Sequence, residues 1–237
     1  MILCLDSGNT RLKWGICNAD GVWLARGAVA QSNVQELLEQ LQGQPDALQA
    51  VGCNVAGAEQ AAVISAALQR PVRWLQASPK AGGVRNGYVV PEQLGVDRWA
   101  ALLAVRAMHS GAALVVSAGT ATTVDLLTAD GFFCGGIIFP GVDLMRASLA
   151  QNTAQLPLAV AAYAERPQDT ATAIVSGVLE AQAGAIERLF SRLVGENKHC
   201  YLGGGSAESI APLLNMPLTY VDDLVLRGTA IMALSSP

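Results

Sequence analysis

An α/β architecture made of two duplicated halves is what this chain of 237 residues calls for, on three grounds. Apolar residues make up 51% and charged ones 14%, enough for a sizeable buried core and too little charge for a disordered or coiled-coil chain. Short apolar runs of strand character alternate with amphipathic helical stretches. A plan of strand, glycine turn, strand and Asp-Gly turn also occurs twice, with Gly8 matched to Gly119. That spacing far exceeds a solenoid repeat, so the duplicated unit is a domain.

The elements follow in order. Ile2–Leu5 is a short apolar strand. Residues 7–10 form a Gly/Asn turn, an alternating strand runs on to Cys17, and Asn18-Ala-Asp20-Gly21 turns into Val22–Ala25. The Asp-Gly pair marks a hairpin, which makes a three-stranded antiparallel meander. Residues 33–42 carry Val34, Leu37, Leu38 and Leu41 at helical spacing. Ala47–Val55 reads as a strand, Glu59–Gln69 as a helix, Val72–Leu75 as a strand, and 76–93 as the longest irregular stretch. A helix entered at Gly95 to Asp97 continues through Leu102, Leu103 and Val105. The repeat then begins. Ala113–Ser117 is a strand, Gly119 to Thr123 the turn, Ala129-Asp130-Gly131 the second turn, and Phe132–Ile137 the third strand. Val142–Gln151 is helical, a long helix runs from about Ala171 to Val194, and Cys200–Leu202 is a strand ending in Gly203-Gly204-Gly205. The halves are therefore expected at 1–110 and 111–237, with both glycine turns facing one cleft between them as a phosphate clamp.

Composition narrows the function. Fifteen Lys+Arg against 19 Asp+Glu give a net charge of −4, so there is no basic field for nucleic acid or an anionic membrane. No apolar stretch approaches the roughly 20 residues of a membrane span, and no export signal opens the chain. A cytoplasmic protein is expected. Cys4, Cys17, Cys53, Cys134 and Cys200 are odd in number, lack C-x-x-C spacing and sit in apolar runs, the mark of small core residues in a reducing compartment. His109 and His199 lie far from each other and from acidic or Cys clusters, which leaves zinc and Ser-His-Asp chemistry without their main candidate.

The chemistry-bearing residues gather in a few segments. Asp6 stands at a strand end, followed by Gly8, which lets backbone approach a ligand, by amide and hydroxyl donors at Asn9 and Thr10, and by Lys13. This set suits a polyphosphate with bound Mg²⁺, and an ordinary Asx turn in a hairpin would also use it. The matching turn Gly119-Thr120-Ala121-Thr122-Thr123 with Asp125 favours the phosphate reading, because two hydroxyl-rich glycine turns in equivalent places are poorly explained as accidents. Asp97 precedes Arg98 at a helix start, where a carboxylate either complements the macrodipole or accepts a hydroxyl proton beside a cation. Gly135 to Gly141 turns from strand to helix. Gly203-Gly204-Gly205-Ser206 turns likewise and could seat an adenine. Neither P-loop nor G-x-G-x-x-G spacing is present. Asp222 and Asp223 precede the last helix as candidate caps.

Taken together, D-x-G-N-T-R-x-K at 6–13, Y-x-x-P-x-x-L-G-x-D-R at 88–98, G-T-A-T-T-x-D at 119–125, G-G-x-I-x-P-G at 135–141 and S-L-x-x-x-T-A-x-L-P at 148–157 resemble type III pantothenate kinase. The motifs are short but stand in register from residue 2 to the C-terminal helix. The resemblance implies two ribonuclease H-like domains of the actin, heat-shock ATPase and sugar kinase superfamily. Each would be a mixed five-stranded sheet flanked by helices, with an interdomain cleft. It also implies transfer of the ATP γ-phosphoryl group to the primary hydroxyl of pantothenate, the first step toward coenzyme A. Carried over by motif, Asp6, Ser7, Gly8, Asn9, Thr10, Arg11, Leu12 and Lys13 would contact ATP phosphates, with Asp6 closest to Mg²⁺ and Thr120 reaching ATP from the second half. Asp97 would be the general base. Tyr88, Gly95, Val96, Asp97 and Arg98 would line the pantothenate pocket. Thr170 matches a family threonine that touches substrate, often across a homodimer.

One departure stands out. Many family members carry Asp where this chain has Ser117, a carboxylate associated with a required K⁺ or NH₄⁺. A hydroxyl lacks that charge, so either the cation is not needed or carbonyls and a partner chain hold it. A kinase for another small hydroxy acid or sugar, and an accessory protein of the same architecture, are the competing readings. Tyr88 with 95–98 argues against the first, and retention of Asp6, Lys13, Asp97 and Arg98 against the second.

Overall fold

A computed structural model describes residues 1–46 and 49–234. Close contacts divide the chain into two units. The first holds Met1–Ser110, Gly131–Phe133 and the chain from Asp223 onward; the second holds Gly111–Asp130 and Cys134–Asp222.

In the first unit, β1 (Ile2–Ser7), β2 (Arg11–Cys17) and β3 (Trp23–Ala30) form the expected meander. β4 (Gln49–Asn54) runs parallel to β1, and β5 (Val72–Trp74) parallel to β4, giving the order β3-β2-β1-β4-β5. The expected strand start at Ala47 lies outside the described residues. β1 is covered on both faces, and its side chains divide by the period of two. Leu3 and Leu5 join Leu12, Trp14, Leu37 and Ile64 in one cluster, while Ile2 and Cys4 join Cys17, Val51, Leu226 and Ala230 in another. Helix α1 (Val34–Leu41) starts where the Asn33 side chain accepts the Glu36 N–H, and it buries Leu37 against the sheet. α2 (Ala58–Ala67) buries Ile64 in the same cluster.

Residues 76–93, expected to be irregular, contain a small hairpin of β6 (Lys80–Ala81) and β7 (Val84–Asn86). Its turn is Gly82-Gly83, both with positive φ, and two strands of two and three residues are too short to leave a periodic signal. α3 (Val96–Met108) is buried along most of its length, from Arg98 to Val105.

In the second unit, β8 (Ala113–Ala118), β9 (Ala121–Leu127) and β10 (Phe132–Pro140) repeat the meander. β11 (His199–Gly203) is parallel to β8, and β12 (Leu218–Tyr220), absent from the sequence reading, is parallel to β11. The order β10-β9-β8-β11-β12 has the same plan as the first sheet. The first two residues of β10, Phe132 and Phe133, count with the first unit and pair with Arg85 and Asn86 of β7. α4 (Val142–Asn152), α5 (Thr170–Phe190) and the short α6 (Ala207–Ile210) surround a core of Leu114, Val116, Ile174, Val178, Ile186 and Leu202. α5 stops four residues short of Val194 because Arg192 and Leu193 turn back onto the Leu189 and Phe190 carbonyls.

The last helix, α7 (Leu224–Leu234), belongs to the first unit, where the Cα of Gly228 lies against Ala100 of α3. Asp223, expected to cap this helix, instead binds two arginines: Arg26 Nη1 at 2.5 Å and Arg227 Nε at 2.6 Å. Four of the cysteines are buried as expected, but Cys134 is exposed on β10. Among the described residues no helix is long and apolar enough to cross a membrane.

Candidate active site

The β1–β2 turn closes when the Gly8 N–H donates to the Arg11 carbonyl at 3.1 Å. Strand pairing then fixes what surrounds it. Asp6, the fifth residue of β1, stands opposite Lys13 on β2 and opposite Cys53 on β4. Gly8 does not have positive φ, and a Cβ there would come no nearer than 3.3 Å to the Arg11 oxygen. Backbone conformation therefore does not demand glycine; its bareness leaves the amides of the turn open to a ligand. Leu12 is fully buried and anchors the turn, while Asn9, Thr10 and Arg11 are exposed at its tip. Ser7 is buried, and its Oγ accepts Gln31 Nε2 at 2.9 Å. Gln31 also donates its backbone N–H to the Thr10 carbonyl at 2.9 Å. Sequence reading missed Gln31, which stands outside every motif. Its Oε1 is buried without a hydrogen-bond partner.

The Asp6 carboxyl is pushed up to about 7. Burial is the main cause, opposed by the Lys13 ammonium and reinforced by the nearby Asp97 carboxylate. Two carboxylates and a lysine are thus brought together from three elements. Asp97 sits in the first turn of α3, with Oδ1 accepting the Arg98 backbone N–H at 2.8 Å. A Cβ on Gly95 would stand 2.7 Å from that same oxygen, so glycine makes room for the carboxylate. Beneath α3, Cys53 Sγ lies 3.2 Å from Thr229 Oγ1 and 3.8 Å from the Val96 carbonyl.

Arg98 is buried and donates Nη1 to the Tyr88 hydroxyl at 2.9 Å. Its guanidinium lies over the Tyr88 ring at 5.7 Å and over Phe133 at 5.8 Å, and those rings are 5.5 Å apart. Phe133 completes this clamp and was invisible in the sequence, since it is far along the chain from Tyr88 and lies in no shared motif. The Tyr88 backbone is held by the Asn86 side chain at the end of β7.

In the second unit the equivalent turn closes with the Gly119 N–H on the Ala121 carbonyl at 3.2 Å, leaving Gly119 and Thr120 exposed. Ser117 is half-buried, opposite Thr123 on β9 and Gly203 on β11. Asp125 is buried on β9 opposite Val115. Thr170 is the exposed first residue of α5, behind Asp169, whose carboxylate caps the helix through Thr172. It lines a largely apolar cavity of about 590 Å³ between α4 and α5, with Met145, Leu149, Leu156 and Ile174.

The donor set suits Mg²⁺ held mainly by phosphate oxygens and water. Among the described residues no cluster of three or more His, Cys, Asp or Glu could hold a metal by itself, whereas an enclosed carboxylate with a raised pKa gains from a nearby cation.

Comparison with known proteins decides the assignment. The sequence model of the type III pantothenate kinase family matches residues 2–192. Type III pantothenate kinase of Aromatoleum aromaticum is 51% identical, with 98% of each chain covered. That of Dechloromonas aromatica is 49% identical over the whole of both chains. This chain belongs to the type III pantothenate kinase family. With that membership goes the activity: it is an ATP-dependent pantothenate kinase. Among solved structures, the activator of 2-hydroxyisocaproyl-CoA dehydratase from Clostridium difficile with bound ADPNP has a TM-score of 0.60 at 12% identity, covering 98% of this chain and 94% of its own. That likeness speaks for the fold alone. The five motifs that carry the resemblance fall on the β1–β2 turn, the 88–98 segment, the β8–β9 turn, the β10–α4 junction, and the end of α4 with the chain that follows it.

Proposed function

We propose that this pantothenate kinase uses Asp97 as the general base and the β1–β2 turn as its phosphate holder. The grouping of Asp6, Lys13 and Asp97 in one unit is the observation that carries the reading. The amides and hydroxyls of Ser7 to Thr10, together with Arg11 and Lys13, bind the ATP phosphates, and Leu12 anchors them from below. Thr120 contributes from the second unit. Asp6 would help hold Mg²⁺, and the ion would supply charge neutralisation on the phosphates.

Asp97 accepts the proton of the pantothenate hydroxyl as that oxygen bonds to the γ-phosphorus, and the bond to the ADP oxygen breaks. The amide hydrogen bond on Oδ1 holds the carboxylate in place. Arg98 is a buried cation held by Tyr88 and Phe133, and it provides charge for the pantothenate carboxylate next to Gly95 and Val96. Thr170 completes the pocket of a partner in a cytoplasmic homodimer, with the cavity beside it taking part in the interface. At Ser117 a neutral hydroxyl replaces the charge expected of a K⁺ or NH₄⁺ site, so this enzyme does not depend strictly on that cation.

The test is phosphopantothenate formation by the purified protein with MgATP, with K⁺, NH₄⁺ or Na⁺ as sole monovalent cation. Comparable turnover in all three is expected. Turnover with K⁺ or NH₄⁺ alone overturns the cation reading, and no turnover in any overturns the reaction.

A further inference from the structure

Gln182 occupies a position on α5 that helical spacing reserves for the core, between Leu179 and Ile186, and it is fully buried. An amide in such a place is tolerated when both of its ends are bonded. Here they are. Oε1 accepts Thr122 Oγ1 at 2.7 Å, and Nε2 donates to the Pro140 carbonyl at 2.9 Å and faces Met145 Sδ at 3.5 Å. Thr122 is itself fully buried, the second residue of β9, paired with Ala118 of β8. Pro140 ends β10. One side chain therefore ties the start of one strand to the end of its neighbour.

Those two ends frame the Gly119-Thr120 turn. The next residue after Pro140, Gly141, donates its N–H to the Thr120 carbonyl at 2.9 Å. It also lies so close that a Cβ on it would meet the Gly119 oxygen at 2.0 Å. The turn is gripped by the β10–α4 junction, and the junction is held by Gln182.

We propose that Gln182, with Thr122, is the positioning residue for the Gly119-Thr120 turn and so for ATP. The second half of that statement rests on the reading of Thr120 as an ATP contact. Gln182 touches no substrate. Its role is to fix the distance between β9 and the β10–α4 junction, so that the turn presents one conformation to the nucleotide instead of several.

The experiment compares Gln182→Met, which keeps length and apolar fill but loses both bonds, with Thr122→Val, which removes one arm and leaves α5 intact. Thr122→Ser is the conservative rescue. Amide exchange at residues 119–121 and 141 is read alongside KM for ATP and for pantothenate and the melting temperature. Expected in both disruptive variants are exchange at those amides faster by about tenfold and a KM for ATP raised about tenfold, with KM for pantothenate nearly unchanged. Thr122→Ser should restore wild-type behaviour. Wild-type exchange at those amides in folded variants overturns the proposal. So does a rise in both KM values together with a general fall in protection, which is the mark of a merely structural residue. Faster exchange with an unchanged KM for ATP upholds the positioning of the turn and overturns Thr120 as an ATP contact.

Discussion

Asp97 has its place because Gly95 has no side chain: a Cβ there would crowd Oδ1 at 2.7 Å. Replacing the base while keeping its shape is the direct test. Asp97→Asn should lower kcat by about two to four powers of ten while ATP still binds, checked by turnover and by nucleotide titration; unchanged turnover removes Asp97 from the chemistry. Asp6 carries a second prediction, on stability. Its carboxyl is raised to about 7 by burial, against about 4 in an unfolded chain. Between those values the folded state holds a proton that the unfolded state has lost, so stability falls as pH rises through this window, and the loss is complete above about 7. Asp6→Asn should therefore melt like the wild type near pH 4 and at a higher temperature near pH 8 without ligand. Equal melting at both values would show that the carboxylate carries no burial penalty. The roles proposed for Asp6 and Asp97 could be framed from sequence because chemistry and spacing stand side by side in each motif. Phe133 and Gln31 were not legible, because each acts on a motif from a distant element and nothing in its own neighbours says so.

At the scale of elements, α7 and α3 meet backbone to backbone. A Cβ on Gly228 would stand 1.8 Å from the Ala100 carbonyl, so Gly228→Ala must push α7 off the helix that carries Asp97. Overpacking of this kind costs about 1–3 kcal/mol or more, and the variant should melt several degrees lower with reduced kcat; a wild-type melting curve would mean that the helices separate freely. The meander strands, β4 and the buried α3 were legible because each carries a period or a turn signal long enough to read. The β6–β7 hairpin and β12 were not, although the equally short β5 was. Asp223 misled in another way. A helix-start carboxylate looks like a cap, but Arg26 comes from β3 and its approach is a tertiary fact.

For the whole molecule, the five strands β10-β9-β8-β11-β12 follow the same order as the five of the first sheet, and the sequence repeat of glycine turns announced it. The proposed dimer makes a separate prediction. If Thr170 completes the site of a partner, Asp97→Asn and Thr170→Ala variants, each weak alone, should regain activity when mixed and allowed to exchange subunits. Half of the dimers would be mixed and would carry one intact site, giving about a quarter of wild-type turnover. Activity no greater than the sum of the two variants would place Thr170 in its own chain's site. A partner chain is the hardest thing to read from sequence, because apolar positions on a helix look alike whether they face a core or another chain.

The order of synthesis adds a last consequence. The first unit is not contiguous: its sheet and α3 are made early, while α7, which covers Cys4, Val51 and Ala100, is made after the whole of the second unit. During translation the helix bearing Asp97 waits, with an apolar face open, until α7 has emerged. A nascent chain stopped before Asp223 holds every segment of the second unit but lacks α7 of the first, so the first unit is the one left with apolar surface uncovered.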